Sequence, residues 1–185
     1  MRTIRVSKAV KRDLCGITIG AALAASSALF AIQSFPAIYE TKWYGMYARA
    51  ASTNSEEGLR TMAQRVARKH RLNEELFTSL IEVESGFNPD ARSAKGAMGL
   101  AQLMPFWAKE LGFTHVSELW APYENLNAGA LILKGYIKDQ NGDVEKALQA
   151  YNGGEKCVGK CPESVEHSKK ILQKFASKIL SKKGA

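Results

Sequence analysis

The sequence predicts a mainly α-helical domain, and three observations lead to that class. Apolar side chains recur every three or four residues in several segments, as they do along the buried stripe of an amphipathic helix. Residues that favour the start and the end of a helix flank these segments, such as Asn73 before one of them and Gly86 after it. No run of alternating β-branched residues indicates a strand. We therefore expect a compact, bundle-like domain with loops around a cleft.

The chain has 185 residues, enough for one domain and an appendage. We divide it into a basic leader with a hydrophobic helix at 1–34, a linker at 35–57 and the helical domain at 58–182. The formal net charge of +8 suits an anionic partner, such as nucleic acid, a membrane surface or an anionic polymer, but we interpret it first as a solvated, charged helix face. No zinc-finger spacing, aromatic run or basic heptad supports binding to nucleic acid.

The first segment has the pattern of an exported protein. Five basic residues within the first 13 precede residues 14–32, which carry no charge and are about long enough to span a bilayer. Small residues at 26–28 offer a cleavage site, whereas the aromatic residues between 35 and 47 suit a membrane interface. The segment is therefore an inner-membrane anchor or a cleaved signal, and both predict a periplasmic domain.

Six helices are predicted within the domain. Asn73 and Asp143 are the cap residues that begin two of them, and Gly86, Gly112 and the Gly153-Gly154 pair end three. The predicted ranges are about 59–70, 73–85, 105–111, 125–138, 143–152 and 163–180.

Two glutamates of the second helix lie on different faces. At about 100° per residue, Glu84 falls inside the apolar arc and Glu82 falls on the solvated side. Burying an ionised carboxylate is costly, so Glu84 is either paired with a cation such as Arg92 or Lys95, or lies at a cleft with a raised pKa. A carboxyl group that stays protonated near neutral pH is what cleavage of a glycosidic bond requires.

Cysteine and histidine placement limits the other kinds of site. Cys157 and Cys161 flank a short loop, and in an oxidising compartment they can close a disulfide; two free thiols are the alternative. A zinc site lacks ligands there, and we expect neither a metal nor another cofactor. The histidines are scattered, and we interpret them as surface or capping groups. They are His70, His115 and His167.

Four blocks of sequence, in order, resemble the soluble lytic transglycosylase (SLT) family, which has a lysozyme-like fold. The blocks are "ESGFNP", "SAKGAMGLAQLMP", "ENLNAG" and "AYNGG", and the resemblance covers about Leu59 to Gly154. It implies that Glu84 is the single catalytic acid/base, with Tyr151 close to it and Asn125 in a supporting role. The residues expected to bind substrate are Ser85, Gln102, Met104, Asn125, Tyr151 and Asn152.

The sequence departs from the family pattern at two places. Ala101 stands where the family usually has Met, which can reshape one wall of a subsite. Phe106 and Trp107, which follow Pro105, are bulkier than the usual small or hydroxyl residues; we expect Trp107 to pack in the core.

The resemblance implies cleavage of peptidoglycan glycan strands between N-acetylmuramic acid (MurNAc) and N-acetylglucosamine (GlcNAc), leaving a 1,6-anhydro end. A goose-type-lysozyme-like hydrolase is an alternative, but it would normally need a second carboxylate, and Asp90 is more typical of a turn. A non-catalytic, membrane-anchored wall-binding or assembly protein is the other alternative. Small anchored enzymes of this type also resemble transglycosylases that open the wall for secretion, conjugation or pilus machines.

Overall fold

The computed structural model describes residues 55–184, so the hydrophobic segment predicted at 14–32 lies outside the part described here. Six α-helices and two 3-10 turns are found between residues 55 and 184. The α-helices are α1 (Glu56–His70), α2 (Glu74–Ser85), α3 (Phe106–Glu110), α4 (Pro122–Asp139), α5 (Val144–Gly153) and α6 (Pro162–Lys183). The 3-10 turns are Val116–Trp120 and Glu155–Cys157. The predicted class, mainly α, is confirmed.

Extended backbone is scarce in the described residues. It pairs only in isolated bridges within the loop between α2 and α3, between Arg92 and Met98 and between Met98 and Leu103. We call residues 87–105 the site loop. None of the helices described between residues 55 and 184 is both long and apolar enough to cross a bilayer.

Local side-chain chemistry accounts for the helix ends. The Leu76 N–H donates to Asn73 Oδ1 (3.0 Å), and the Lys146 N–H donates to Asp143 Oδ1 (3.0 Å), so both predicted N-caps are confirmed. Gly86 ends α2 in the left-handed conformation, as predicted, with φ of 60°. At α4 the predicted start was three residues late, because Pro122 occupies the first turn, where its fixed φ suits a helix.

Helix α2 is packed between two other helices of the domain. It packs against α1 on one side and α6 on the other, while α4 contacts α1 and α5, and α5 contacts α6. Phe77, Leu80 and Ile81 of α2 are completely buried in the resulting core, with Trp107 also buried as expected. The buried residues of α2 thereby anchor its carboxyl end against the hydrophobic core.

Helix α6 runs antiparallel to α2. His167, near its start, lies opposite Glu84 at the end of α2, whereas Lys182, near its end, pairs with Glu75 at the start of α2. Just before α6, the structure joins Cys157 and Cys161 in a disulfide, with a Cα–Cα distance of 4.7 Å.

Candidate active site

Glu84 lies in the last turn of α2, where the chain reverses. Gly86 and Phe87 both have positive φ, 60° and 59°, so the backbone leaves the helix in two left-handed steps. Phe87 is buried and lies under the guanidinium of Arg60, 4.4 Å from its ring centre, which holds this unusual conformation. The Glu84 side chain is 11% exposed. The turn therefore brings the site loop back beside a largely buried carboxyl group.

Burial dominates the electrostatics of Glu84. Loss of contact with water disfavours the charged form and raises the pKa of Glu84 to about 8. The alternative of a cationic partner is wrong, because Lys95 pairs instead with Glu163 (3.2 Å) and Arg92 is exposed. Glu84 is therefore a neutral carboxylic acid at pH 7, able to donate a proton.

His167 of α6 is the polar neighbour of Glu84. Its Nε2 lies 3.4 Å from Glu84 Oε1, and its side chain is 16% exposed. Burial lowers the pKa of His167 and the charge of Lys170 lowers it further, while Glu163 opposes them, so the ring is neutral at pH 7. Its Nδ1 is buried and has no hydrogen-bond partner among the residues described.

Our interpretation of the histidines as surface or capping groups was therefore wrong for His167, and also for His70. His70 is buried at the end of α1, with Nε2 2.8 Å from Asn127 Oδ1. For His115 the interpretation is confirmed, because it caps the 3-10 turn that begins at Val116.

Tyr151 joins the site from α5. Its hydroxyl donates to the Ala101 carbonyl (2.9 Å), which ties α5 to the site loop. Burial raises the pKa of Tyr151 well above its usual value, and the negative charge that Glu84 can carry raises it further, so the two side chains are close enough to interact. A Cβ on Gly129 would lie 2.6 Å from the Ala101 Cβ and 3.0 Å from the Tyr151 hydroxyl, so this close approach requires glycine in α4.

The buried side chain of Asn125 holds the site loop through hydrogen bonds to its backbone. Its Oδ1 accepts from the Ala101 N–H (2.7 Å), and its Nδ2 donates to the carbonyls of Met98 (3.0 Å) and Leu119 (2.7 Å). Gly99, with φ of 72°, lies against this amide, and a Cβ there would come within 2.5 Å of Nδ2. Because Asn125 is completely buried, we correct its place among the substrate-binding residues: it supports the loop.

Gln102 also braces the site loop. Its Nε2 donates to the carbonyls of Ala91 (3.0 Å) and Gly99 (2.9 Å), and its backbone has a positive φ of 48°. The side chain remains partly exposed, so its Oε1 is the atom left to meet a ligand. Glycan binding by Gln102 stays a prediction.

The remaining expected substrate-binding residues are placed as follows. The Ser85 hydroxyl donates to the Ile81 carbonyl within α2 (3.2 Å), and Met104 packs against the core at the end of the site loop. Asn152 is exposed at the end of α5, and its Oδ1 accepts from the Ser164 hydroxyl (2.9 Å). Their roles toward a substrate stay predictions.

Glu82 was expected in solvent, and this expectation was wrong. Its carboxylate lies between the ammonium groups of Lys174 (2.7 Å) and Lys178 (2.8 Å) of α6. Partial burial raises the pKa of Glu82, but the hydrogen bonds and charges of the two lysines lower it by more. The result is a pKa of about 2. Glu82 is therefore a carboxylate that joins two helices, while Glu84, two residues later, is a neutral acid.

A second carboxylate is not evident beside Glu84. Asp90, the nearest in sequence, is exposed, and its N–H donates to Asn88 Oδ1 (3.0 Å) in a tight turn. Between residues 55 and 184 no group of three or more His, Cys, Asp and Glu side chains is arranged to hold a metal ion. The arrangement provides one proton donor of near-neutral pKa, an adjacent neutral imidazole and a loop fixed by buried amides.

Comparisons with known proteins agree with this geometry. A model of the transglycosylase SLT domain family matches residues 61–174. The transglycosylase of Enterobacteria phage PRD1 is 42% identical over 86 residues, which cover 46% of this chain and 31% of that protein. Membrane-bound lytic murein transglycosylase E of Buchnera aphidicola is 31% identical over 102 residues, covering 48% of this chain and 46% of that one. The chain thus spans less than half the length of these relatives.

Solved structures show the same fold. Lytic transglycosylase Slt from Pseudomonas aeruginosa, determined as an inactive mutant, superposes with a TM-score of 0.57 at 22% identity, over 76% of this chain and 29% of that one. The 70 kDa soluble lytic transglycosylase from Escherichia coli gives the same TM-score at 20% identity, over 63% of this chain and 23% of that one. With the family model matched over most of the described helices, the chain belongs to the transglycosylase SLT domain family.

Proposed function

We propose that the protein is a lytic transglycosylase that cleaves the β-1,4 bond between MurNAc and GlcNAc in peptidoglycan. The observation that carries the proposal is the buried Glu84 carboxyl group, whose pKa of about 8 keeps it protonated at neutral pH. A general acid in this state can protonate the glycosidic oxygen and so make GlcNAc a better leaving group. Membership of the SLT family and the names of its relatives support the same reaction.

Glu84 acts twice in the proposed reaction. It first gives its proton to the oxygen between the two sugars as the bond to the muramoyl C1 breaks. The resulting carboxylate then takes the proton of the muramoyl 6-hydroxyl, whose oxygen forms the new bond to C1. The product is a 1,6-anhydroMurNAc end, no water is consumed, and Glu84 regains its proton.

The number of carboxylates favours this route over hydrolysis. A retaining hydrolase places a second carboxylate about 5 Å from the acid, and an inverting one about 6.5–9.5 Å away. A charge at the shorter distance would raise the pKa of Glu84, yet burial alone accounts for its raised pKa. Asp90, the candidate nearest in sequence, is exposed in its turn.

The basic N-terminal segment and the apolar residues after it suggest where in the cell the protein acts. We infer that export across the inner membrane brings the helical domain to the periplasm, with residues 14–32 as an anchor or a cleaved signal. The relative from Buchnera is named a membrane-bound enzyme, which supports an anchor. A small anchored transglycosylase fits local opening of the wall for a secretion, conjugation or pilus machine, and we extend the proposal to that role.

Product analysis tests the proposed reaction. The purified full-length chain is incubated with peptidoglycan beside Glu84→Gln, and the released muropeptides are identified by mass. We expect anhydro products from the wild type and none from the variant. Products one water heavier would show a hydrolase, and no product from wild-type protein would support the non-catalytic alternative.

A further inference from the structure

His167 is held opposite Glu84 by contacts distant from the site. Along the rest of α6, Lys174 and Lys178 pair with Glu82, and Lys182 pairs with Glu75, both on α2. These ion pairs join the later turns of α6 to α2. Before His167, the Ser164 hydroxyl donates to Asn152 Oδ1, which fixes the start of α6 against α5. The imidazole therefore meets the carboxyl group at a position set on both sides.

The carboxyl group has little else to orient it. Among residues 55–184, no hydrogen bond reaches the Glu84 carboxyl group, and the His167 ring is its polar contact, with Nε2 3.4 Å from Oε1, slightly longer than an ordinary hydrogen bond. Tyr151, which is near enough to interact with the Glu84 charge, donates its proton to the Ala101 carbonyl instead. Without a partner, a buried carboxyl group could carry its proton on either oxygen.

The orphaned nitrogen of His167 indicates which tautomer is present. A neutral imidazole has one N–H and one bare nitrogen. Nδ1 is buried without a partner, and a buried N–H that lacks an acceptor is rarer in proteins than an acceptor that lacks a donor. The proton therefore belongs on Nε2, the nitrogen that faces Glu84.

We propose that His167 is the positioning residue of the acid/base, with its Nε2–H donating to Glu84 Oε1. This inference rests on the proposed function. With Oε1 occupied as an acceptor, the acidic proton is placed on Oε2, which gives it to the glycosidic oxygen. When Glu84 becomes a carboxylate, the same Nε2–H donates to a charged oxygen, and this stronger hydrogen bond stabilises the intermediate state. His167 itself neither gains nor loses a proton.

Two substitutions separate this role from a packing role. His167→Phe fills the space but has no N–H, whereas His167→Gln can place an amide N–H near the position of Nε2. Lys169→Gln, an exposed neighbour on α6, is the matched control. We expect His167→Phe to lower kcat roughly 10- to 100-fold, as for loss of a hydrogen bond to a charged group, with little change in KM. His167→Gln should recover most of the loss, and the control should match wild type.

The ionisation of Glu84 gives a second readout. The titratable and charged groups around the Glu84–His167 pair are Tyr151 from α5, and Lys170 and Glu163 from α6. His167→Phe removes the Nε2–H donor and places an apolar ring beside the carboxylate, and both changes raise the pKa of Glu84, whereas His167→Gln, which restores an N–H, should bring it back toward the wild-type value. Carbon-13 NMR of the Glu84 carboxyl group should show titration at higher pH in His167→Phe, with the alkaline limb of activity displaced the same way.

The tautomer can be read in the wild-type protein without any substitution. Nitrogen-15 NMR of the imidazole should show the proton on Nε2 and a bare Nδ1 at pH 7. A proton on Nδ1, or wild-type kcat and Glu84 titration in His167→Phe, would overturn the inference. If the wild type releases no product, the proposed function fails, while the two NMR measurements still decide whether His167 orients Glu84.

Discussion

Glu82 and Glu84 stand two residues apart on α2, yet their pKa values move in opposite directions. Burial without a cation raises the pKa of Glu84 to about 8. At Glu82, partial burial acts in the same direction, but Lys174 and Lys178 of α6 outweigh it and bring the pKa to about 2. The surroundings of each carboxyl group, rather than its residue type, decide which one can act as an acid near neutral pH.

The sequence predicted one of these two environments. The helical wheel placed Glu84 on the apolar arc because that arc is local to α2. It could not place Glu82 beside α6, or His167 beside Glu84, because those contacts depend on how two helices distant in sequence pack. The signal that could have indicated them is the spacing of Lys174, Lys178 and Lys182, which lie one turn apart on one face of α6.

Glu84→Gln should increase stability while abolishing activity. In the unfolded chain Glu84 ionises with its ordinary pKa of 4.5, whereas in the folded protein it keeps its proton up to about pH 8. Between these values the folded state holds the extra proton, so its stability falls as pH rises. The neutral glutamine lacks this penalty. We expect the variant to be more stable by on the order of 4 kcal/mol at pH 8, measured by urea unfolding.

The advantage of the variant should disappear near pH 4.5. Glu57→Gln, at an exposed position in the first turn of α1, serves as the control and should show no comparable pH dependence. A stability difference for Glu84→Gln that is the same at pH 5 and pH 8 would mean that the folded carboxyl group titrates normally.

At the level of elements, the site loop is fixed by one buried side chain. Asn125→Ala leaves the Ala101 N–H and the Leu119 carbonyl without their partner, while the Met98 carbonyl keeps only the Leu103 N–H. Each unsatisfied buried group costs about 1–3 kcal/mol, less where water enters. We expect unfolding free energy to fall by roughly 2–4 kcal/mol, and the Ala101 amide to exchange with solvent much faster.

Asn127→Ala is the control for this experiment. It lies on the same helix, but its side chain contacts Lys69 and His70 instead of the site loop. It should leave exchange at Ala101 unchanged. Equal acceleration in both variants would show that α4 as a whole, and not the Asn125 amide, holds the loop.

The ion pairs that Glu82 of α2 makes with α6 should be lost in acid. The folded pKa of Glu82, about 2, lies below its ordinary value of 4.5, so its contribution is complete above pH 4.5 and is lost as pH falls toward 2. Because the ion pairs are partly exposed, we expect Glu82→Gln to cost only about 1 kcal/mol at pH 6. Urea unfolding at pH 6 and pH 2.5 should show the difference between wild type and variant shrinking; an unchanged difference would contradict the pairing.

The sequence predicted the ends of the helices better than it predicted the contacts between them. The caps at Asn73 and Asp143 and the stop at Gly86 were predicted, because each is decided by a side chain or a φ angle within the same turn. Burial of His70 was not predicted, since it depends on Asn127 of α4, a helix that α1 meets only in the folded domain.

For the molecule as a whole, the disulfide restrains the approach to α6. A bridge between Cys157 and Cys161 closes a short loop, so its effect on the unfolded chain is modest, about 2 kcal/mol in the chain-entropy account. We expect Cys157→Ser to lower the Tm measured by calorimetry, and added reductant to lower the Tm of wild type but not of the variant. Cys15→Ser should behave as wild type. A wild-type Tm for Cys157→Ser would contradict a stabilising bridge.

The sequence alone was enough to predict the fold class and the protein family. Helical spacing predicted the class, and the blocks around Glu84, Gln102, Asn125 and Tyr151 predicted the family, because these residues meet at one place and their spacing follows from it. The sequence did not separate residues that can reach a substrate from residues that hold the loop, because that distinction depends on burial. Asn125 is completely buried and Asn152 is exposed, a difference that the motifs alone do not contain.

The most direct test of the central claim is a titration of Glu84 in the wild-type protein, compared with its activity. Carbon-13 NMR of the carboxyl group should give a pKa near 8, and peptidoglycan cleavage should fall with rising pH over the same range, because only the protonated acid can release the leaving sugar. A carboxyl group that titrates near 4.5, with cleavage unchanged to alkaline pH, would show that Glu84 is not the acid.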